Sequence, residues 1–86
     1  MPNLDLFLDK HQDEAKQELD CYEYLMKNAI GHMLHAEFSK AAAYHENIAR
    51  SLHELQKLKN EKVAYDQAVE MIRKAGLKAF KEVMQD

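Results

Sequence analysis

Apolar residues recur at steps of three and four along almost the whole chain, and only two glycines and one proline interrupt the pattern. This spacing places the apolar side chains on one face of a helix. The alternating runs and β-branched clusters that are typical of strands do not occur. The sequence therefore predicts an all-α fold. The clearest stretch of the apolar pattern consists of Leu34, Phe38, Ala41, His45, Ile48, Leu52 and Leu55.

Length and composition limit the size of this fold. The chain has 86 residues, which predicts a single domain over residues 1–86. A chain this short buries only about 60–65% of its unfolded surface. It contains no tryptophan and three phenylalanines, so the core must be built mainly from leucine, isoleucine, methionine and alanine.

Candidate breaks divide the apolar pattern into four helices. Asn28 with Gly31, then Asn60, then Gly76 are the residues at which a helix is expected to end, because glycine and asparagine tolerate the left-handed backbone that terminates helices. We predict a small helical bundle in which two long antiparallel helices precede a third and a short fourth. A single unbroken helix over residues 5–58 is the alternative. The four predicted helices cover residues 4–30, 32–59, 63–75 and 77–84.

Charge is distributed unevenly. Seven acids against two lysines give residues 1–26 a net charge of −5, whereas five bases against three acids give residues 27–60 a net charge of +2. The opposite signs favour packing of the first predicted helix against the second. The acidic row also predicts a contact surface for a partner protein with a basic surface, although a solvated face near a positive helix N-terminus is an alternative. The predicted partner-binding residues are Asp5, Asp9, Asp13, Asp20 and Glu23.

His45 stands among apolar residues of the second predicted helix. A histidine in that position must find a hydrogen-bond partner or lie at a solvated edge. It is either a satisfied core residue or a polar residue that fixes the register of a helix–helix interface. Since a chain of this size has a small core, we expect a homodimer that buries further apolar surface. The predicted self-association residues are Phe38, His45, Leu52 and Leu55.

Residues that would support catalysis or a cofactor are not grouped in this sequence. The available nucleophiles, Cys21, Ser39 and Ser51, fall in the middle of predicted helices, and Cys21 is best explained as a small half-buried helix residue. The two glycines are isolated, so a phosphate-binding loop is not predicted. We therefore predict that the chain is not an enzyme and that it needs no cofactor.

Three functions from different classes remain after these exclusions. The first is a small regulator, inhibitor or adaptor that binds another protein through its acidic helical face. The second is a nucleic-acid-binding regulator that uses basic residues near the C-terminus, including Lys74, Lys78 and Lys81. The third is a metal-binding helical bundle, for which His32 and His35 offer two ligands on one face but no third ligand is evident.

The cellular setting is predicted from cysteine usage and from hydropathy. A single cysteine and the lack of a signal-peptide pattern or a long apolar run predict a cytoplasmic protein that does not span a membrane. The segment from Ala43 to Lys59 resembles helical segments in small open reading frames of phages and prophages. That resemblance implies a phage or bacterial accessory protein, and it assigns no functional residue.

Overall fold

The computed structural model describes residues 3–84, and these residues form two long helices. Helix α1 spans Gln12–Leu34 and helix α2 spans Phe38–Met84. Two short 3₁₀ turns, Leu4–Leu6 and Asp9–His11, precede α1. Residues 3–84 contain no β-strand, so the predicted all-helical content is confirmed. The molecule is a rod of 76 × 18 × 15 Å.

The prediction of four helices in a small bundle is wrong, and so is the alternative of one helix over residues 5–58. Gly31, Asn60 and Gly76 all lie inside helices. The side chain of Asn28 donates to the carbonyl of Tyr24 at 2.8 Å, and the side chain of Asn60 accepts from Gln56 at 2.8 Å. Both asparagines are thus bonded to the preceding helical turn, and good helix-forming residues around each predicted break keep the backbone helical.

The turn between the helices falls at Ala36, five residues after the predicted break. Ala36 has a φ of 56°, a left-handed backbone that usually favours glycine. Its N–H donates to the Met33 carbonyl at 3.1 Å, and the N–H of Glu37 donates to the His32 carbonyl at 2.8 Å. These two bonds form a Schellman motif, which satisfies the last carbonyls of α1.

Glu37 ties the end of α1 to the beginning of α2. Its carbonyl accepts from the Ala41 N–H at 3.0 Å and so begins the hydrogen bonding of α2. Its carboxylate lies 3.0 Å from Lys40 Nζ and 3.1 Å from His32 Nδ1. The hydrogen bond from Lys40 is the main cause of a lowered pKa for Glu37, and His32 adds to it. His32 also stacks on Tyr44, with ring centroids 5.2 Å apart.

Helix α1 packs antiparallel against the first half of α2 and forms two apolar clusters. Near the turn, Leu25 and Ala29 pack with Ile48, whereas further along Ala15 packs with Leu58. Residues early in α1 thus meet residues late in this half of α2, as an antiparallel hairpin requires. Phe7, from the extended segment between the 3₁₀ turns, completes the second cluster.

Packing within the chain ends near Lys62. His11 ends the second 3₁₀ turn, and its Nδ1 is 3.3 Å from the carboxylate of Glu61. Between residues 59 and 84 every residue is exposed except Lys62 and Glu70, which are half-buried. We call residues 62–84 the distal helix. It extends about 35 Å beyond the hairpin at 1.5 Å per residue, so the described chain is elongated rather than a compact bundle.

Replacing Ala36 with glycine should stabilise the hairpin. Glycine removes the Cβ strain of the left-handed backbone, and we expect the free energy of unfolding to rise by about 0.5–1 kcal/mol. Ala42→Gly is the matched control, since Ala42 is an exposed residue inside α2. That change should lower the free energy of unfolding by about 1 kcal/mol. Urea denaturation followed by circular dichroism measures both, and effects of the same sign would contradict the assigned turn.

Replacing Ile48 with alanine should destabilise the hairpin far more than replacing His45. Ile48 is 6% exposed in the interface between the helices, whereas His45 is exposed. We expect Ile48→Ala to cost roughly 2–5 kcal/mol and His45→Ala less than about 0.5 kcal/mol. Urea denaturation at one fixed protein concentration compares them. Equal costs would place His45 in the interface and contradict the observed packing.

Candidate interaction surface

An exposed apolar face runs along one side of the distal helix. Ile72 is 73% exposed, Phe80 is 63% exposed and Val83 is 72% exposed. The spacing of these side chains keeps them on one side of the helix. We call this surface the distal face, and its residues are Tyr65, Val69, Ile72, Ala79, Phe80 and Val83.

The distal face continues the interface between α1 and α2. On α2 that interface is formed by residues 41, 44, 48, 51, 55 and 58, which are buried or half-buried. The same alternation of three and four residues leads on to positions 62, 65, 69, 72, 76, 79 and 83. One continuous seam therefore runs along α2, and α1 covers only its first half. Its mean spacing of about 3.5 residues is that of helices that pair side by side.

Lys62 marks the boundary between the covered and the uncovered half of this seam. Its Nζ lies 2.7 and 2.9 Å from the two carboxylate oxygens of Asp66. That hydrogen bonding is the largest cause of the raised pKa of Lys62, and the charge of Asp9 contributes further. Asp9 belongs to the second 3₁₀ turn and lines one depression with Lys62 and Tyr65, so the base of the distal helix lies beside the segment before α1.

Three of the four predicted self-association residues lie on an exposed row of α2, and the fourth, Leu55, lines a depression together with Leu52. Phe38 is 62% exposed and Leu52 is 48% exposed, and both lie with the exposed His45 on an outer row of α2. Leu55 instead packs against the buried cluster of Phe7, Ala15 and Leu58. The prediction merged two neighbouring rows of α2, and α1 covers only one of them.

The predicted acidic residues are all exposed, but they do not lie on one helix. Asp5 and Asp9 belong to separate 3₁₀ turns, and the backbone between those turns is extended at Phe7. Asp9 accepts a hydrogen bond from the side chain of Gln12 at 3.3 Å. The single acidic helix face that spacing predicted is therefore divided between α1 and the segment before it. The three residues within α1 are Asp13, Asp20 and Glu23.

An apolar depression lies on the hairpin, next to the outer row of Phe38, His45 and Leu52. Leu6 is 43% exposed at its rim and Leu52 is 48% exposed. Tyr22 and Leu19 line it from α1. Cys21, also in α1, is half-buried and packs against the cluster of Leu25, Ala29 and Ile48, in agreement with its prediction as a half-buried helix residue.

The remaining candidates for special chemistry are dispersed. His32 is engaged with Glu37 and Tyr44, and His35 ends α1. Among residues 3–84, no three histidine, cysteine or carboxylate side chains come together as a metal site requires. Neither α1 nor α2 contains an apolar stretch long enough to cross a bilayer, within the residues that the structure describes.

Sequence reasoning found Ala41, Ile48 and Leu55 but missed other residues of the buried interface. It did not include Leu25, Leu58 or Phe7 among the apolar positions, although all three are buried. Counting backwards from Leu58 in steps of three and four reaches Ser51, Ile48 and the other buried positions of α2. That register could have been found from the sequence, but Leu52 and Phe38 are equally apolar and offer a competing row.

Comparisons with protein families, with curated proteins and with solved structures find no match.

Proposed function

We propose that this protein is a non-enzymatic regulator or adaptor that acts by binding another polypeptide along the distal face. The observation that carries this proposal is the uncovered half of the α2 seam, where Ile72, Phe80 and Val83 are each more than 60% exposed. Burial of one such side chain contributes about 1.5–3 kcal/mol. An exposed apolar strip at this spacing suits packing against a second helix or a helix-binding groove.

Helix stability supports the same proposal. A separate helix of about 23 residues is only marginally stable in water, because most helical stability in proteins comes from packing of an apolar face. The distal helix is attached to the hairpin at one end only, and its apolar side chains make no buried cluster within residues 62–84. A partner along this face would stabilise the helix and cover its apolar surface at once.

The acidic residues of α1 provide a second surface, which suits an adaptor. Asp13, Asp20 and Glu23 are exposed on the hairpin, away from the distal face. We propose that these residues attract a protein with a basic surface, since complementary charge raises the rate and the specificity of association. One molecule would then hold one polypeptide along the distal helix and another at the hairpin.

A photo-reactive amino acid at position 72 tests binding along the distal face. We expect the full chain carrying the probe in place of Ile72 to cross-link to a polypeptide in lysate of the source organism. The matched control carries the probe in place of Gln67, which is exposed on the opposite side of the same helix. Equal yields from the two positions, or no product from position 72, would contradict the proposal.

Nucleic-acid binding is a second candidate, and the arrangement of three lysines favours it. Lys74, Lys78 and Lys81 lie on one side of the distal helix, and none has a carboxylate within ion-pair distance among residues 3–84. Arg73, beside them, pairs with Glu70 at 2.7 Å. A row of lysines on a projecting helix suits contact with successive phosphates.

Charge reversal tests this second candidate. If the lysine row binds nucleic acid, a gel shift at roughly 50 mM salt should be lost in a Lys74→Glu, Lys78→Glu, Lys81→Glu variant, since phosphate contacts dominate affinity at low salt. The matched control reverses three exposed bases elsewhere, Lys16, Lys27 and Lys57, and should keep most of the shift. A wild-type protein that gives no shift at this salt would remove the candidate.

A further inference from the structure

Three separate segments of the chain line the apolar depression on the hairpin, which we call the hairpin depression. Leu19 and Tyr22 come from α1, Leu52 and Leu55 come from α2, and Leu6 comes from the segment before α1. The depression has a volume of about 360 Å³. This volume lies at the small end of the range for small-molecule sites, which are concave and mostly apolar. The hairpin depression is therefore a concave site rather than an open strip on one helix.

The hairpin depression lies between the two apolar clusters of the hairpin. Leu55 packs against the cluster that contains Phe7, whereas Tyr22 packs against the cluster near the turn. Between these clusters the seam of α2 carries Ser51, which is 1% exposed. Serine fills less space than the leucines and the isoleucine at the other seam positions. Since protein interiors are otherwise closely packed, this small residue is consistent with an unfilled space where the two clusters meet.

Buried side chains form the floor of the hairpin depression, and exposed side chains form its rim. Phe7 is 4% exposed and Leu19 is 7% exposed, whereas Leu6 and Leu52 each keep more than two fifths of their surface in water. An aliphatic chain laid between the rim residues would cover apolar surface that now faces water. Each CH₂ group that leaves water in this way strengthens binding about fourfold. The lining therefore suits a ligand with an aliphatic body.

Lys59 gives the hairpin depression its charge. Among the described residues of the lining, Lys59 alone is charged, and it is exposed. Its ammonium group makes no ion pair with a carboxylate of residues 3–84. Gln56, the neighbouring polar residue of the lining, already donates to Asn60 at 2.8 Å. An unpaired positive charge beside an apolar surface complements a ligand that has a negative head and an apolar body.

From these observations we propose that the hairpin depression binds a medium-chain aliphatic carboxylate, the chemical class of the fatty acids. The carboxylate accepts a hydrogen bond from Lys59 Nζ, and the aliphatic chain lies against Leu19 and Leu52. Lys59 and Leu52 are about 10 Å apart along the axis of α2, at 1.5 Å per residue. A chain of the length of octanoate matches this separation. The inference goes beyond the proposed function, since none of these residues belongs to the distal face.

A titration of the isotope-labelled full chain with sodium octanoate, followed by amide NMR spectra, tests the site. We expect saturable shifts at Leu19, Leu52, Leu55 and Lys59, with a dissociation constant of roughly 1 mM for a small ligand in an open site. Shifts confined to residues 65–83 would place the ligand on the distal face and overturn the proposal. The absence of saturable shifts below the micelle concentration of octanoate would also overturn it.

Removal of the charge at Lys59 tests the position of the carboxylate. Lys59→Gln should raise the dissociation constant of octanoate about three- to fivefold, which is the effect of one exposed ion pair. The same variant should leave the dissociation constant of octanol unchanged, because octanol has the same chain without the charge. Lys57→Gln is the matched control, since Lys57 is exposed on the opposite side of α2. Equal effects of the two variants, or an equal loss for octanol, would contradict the proposal.

A charge at the rim separates a ligand site from a contact between proteins. Leu52→Glu should raise the dissociation constant of octanoate at least ~10-fold, since it removes apolar contact and repels the carboxylate. Phe38→Glu is the control on the same outer row and should bind as the wild type does. Both side chains are exposed, so circular dichroism should show unchanged helix content. A lower assembly mass for Leu52→Glu in light scattering would show that a second copy covers the depression and would overturn the proposal.

Discussion

The difference in length between the two helices determines the form of this protein. Helix α1 has 23 residues and α2 has 47, and a short turn forces them to pack antiparallel from a common end. Helix α1 therefore covers about half of the α2 seam. Since burial of apolar surface is the main favourable contribution to folding, the covered half forms the hairpin and the uncovered half remains a candidate for association. The elongated shape and the exposed distal face both follow from this constraint.

The turn at Ala36 sets where that overlap begins. A turn at Gly31 would have shortened α1 and shifted every pair of contacting residues along the seam. The carbonyls of His32 and Met33 instead accept the two Schellman bonds, and the carboxylate of Glu37 holds His32 and Lys40 across the connection. The left-handed backbone at an alanine is unfavourable by itself, so these bonds and the packing of the two helices must offset it.

Helical content was predictable from the sequence because the spacing of apolar residues is a local property. The number of helices was not, since Asn60 and Gly76 are ordinary candidates for helix ends, whereas the good helix-forming residues around them favour continuation, and the two local signals conflict. The sequence predicted an acidic helical face as the contact surface, and the apolar residues of the distal helix were not among the predicted surface residues. Ile72 and Val83 were assigned to short separate helices, where their faces would have been buried in a bundle.

The sequence by itself determined that the chain is helical and that its first two segments have opposite charge. Only the tertiary structure decided which row of α2 faces α1. Phe38, His45 and Leu52 form one row, and Ala41, Ile48 and Leu55 form the next, with similar spacing in the sequence. The physical reason is that a helix carries several apolar rows at once, and the partner helix selects one of them by the depth of packing it allows.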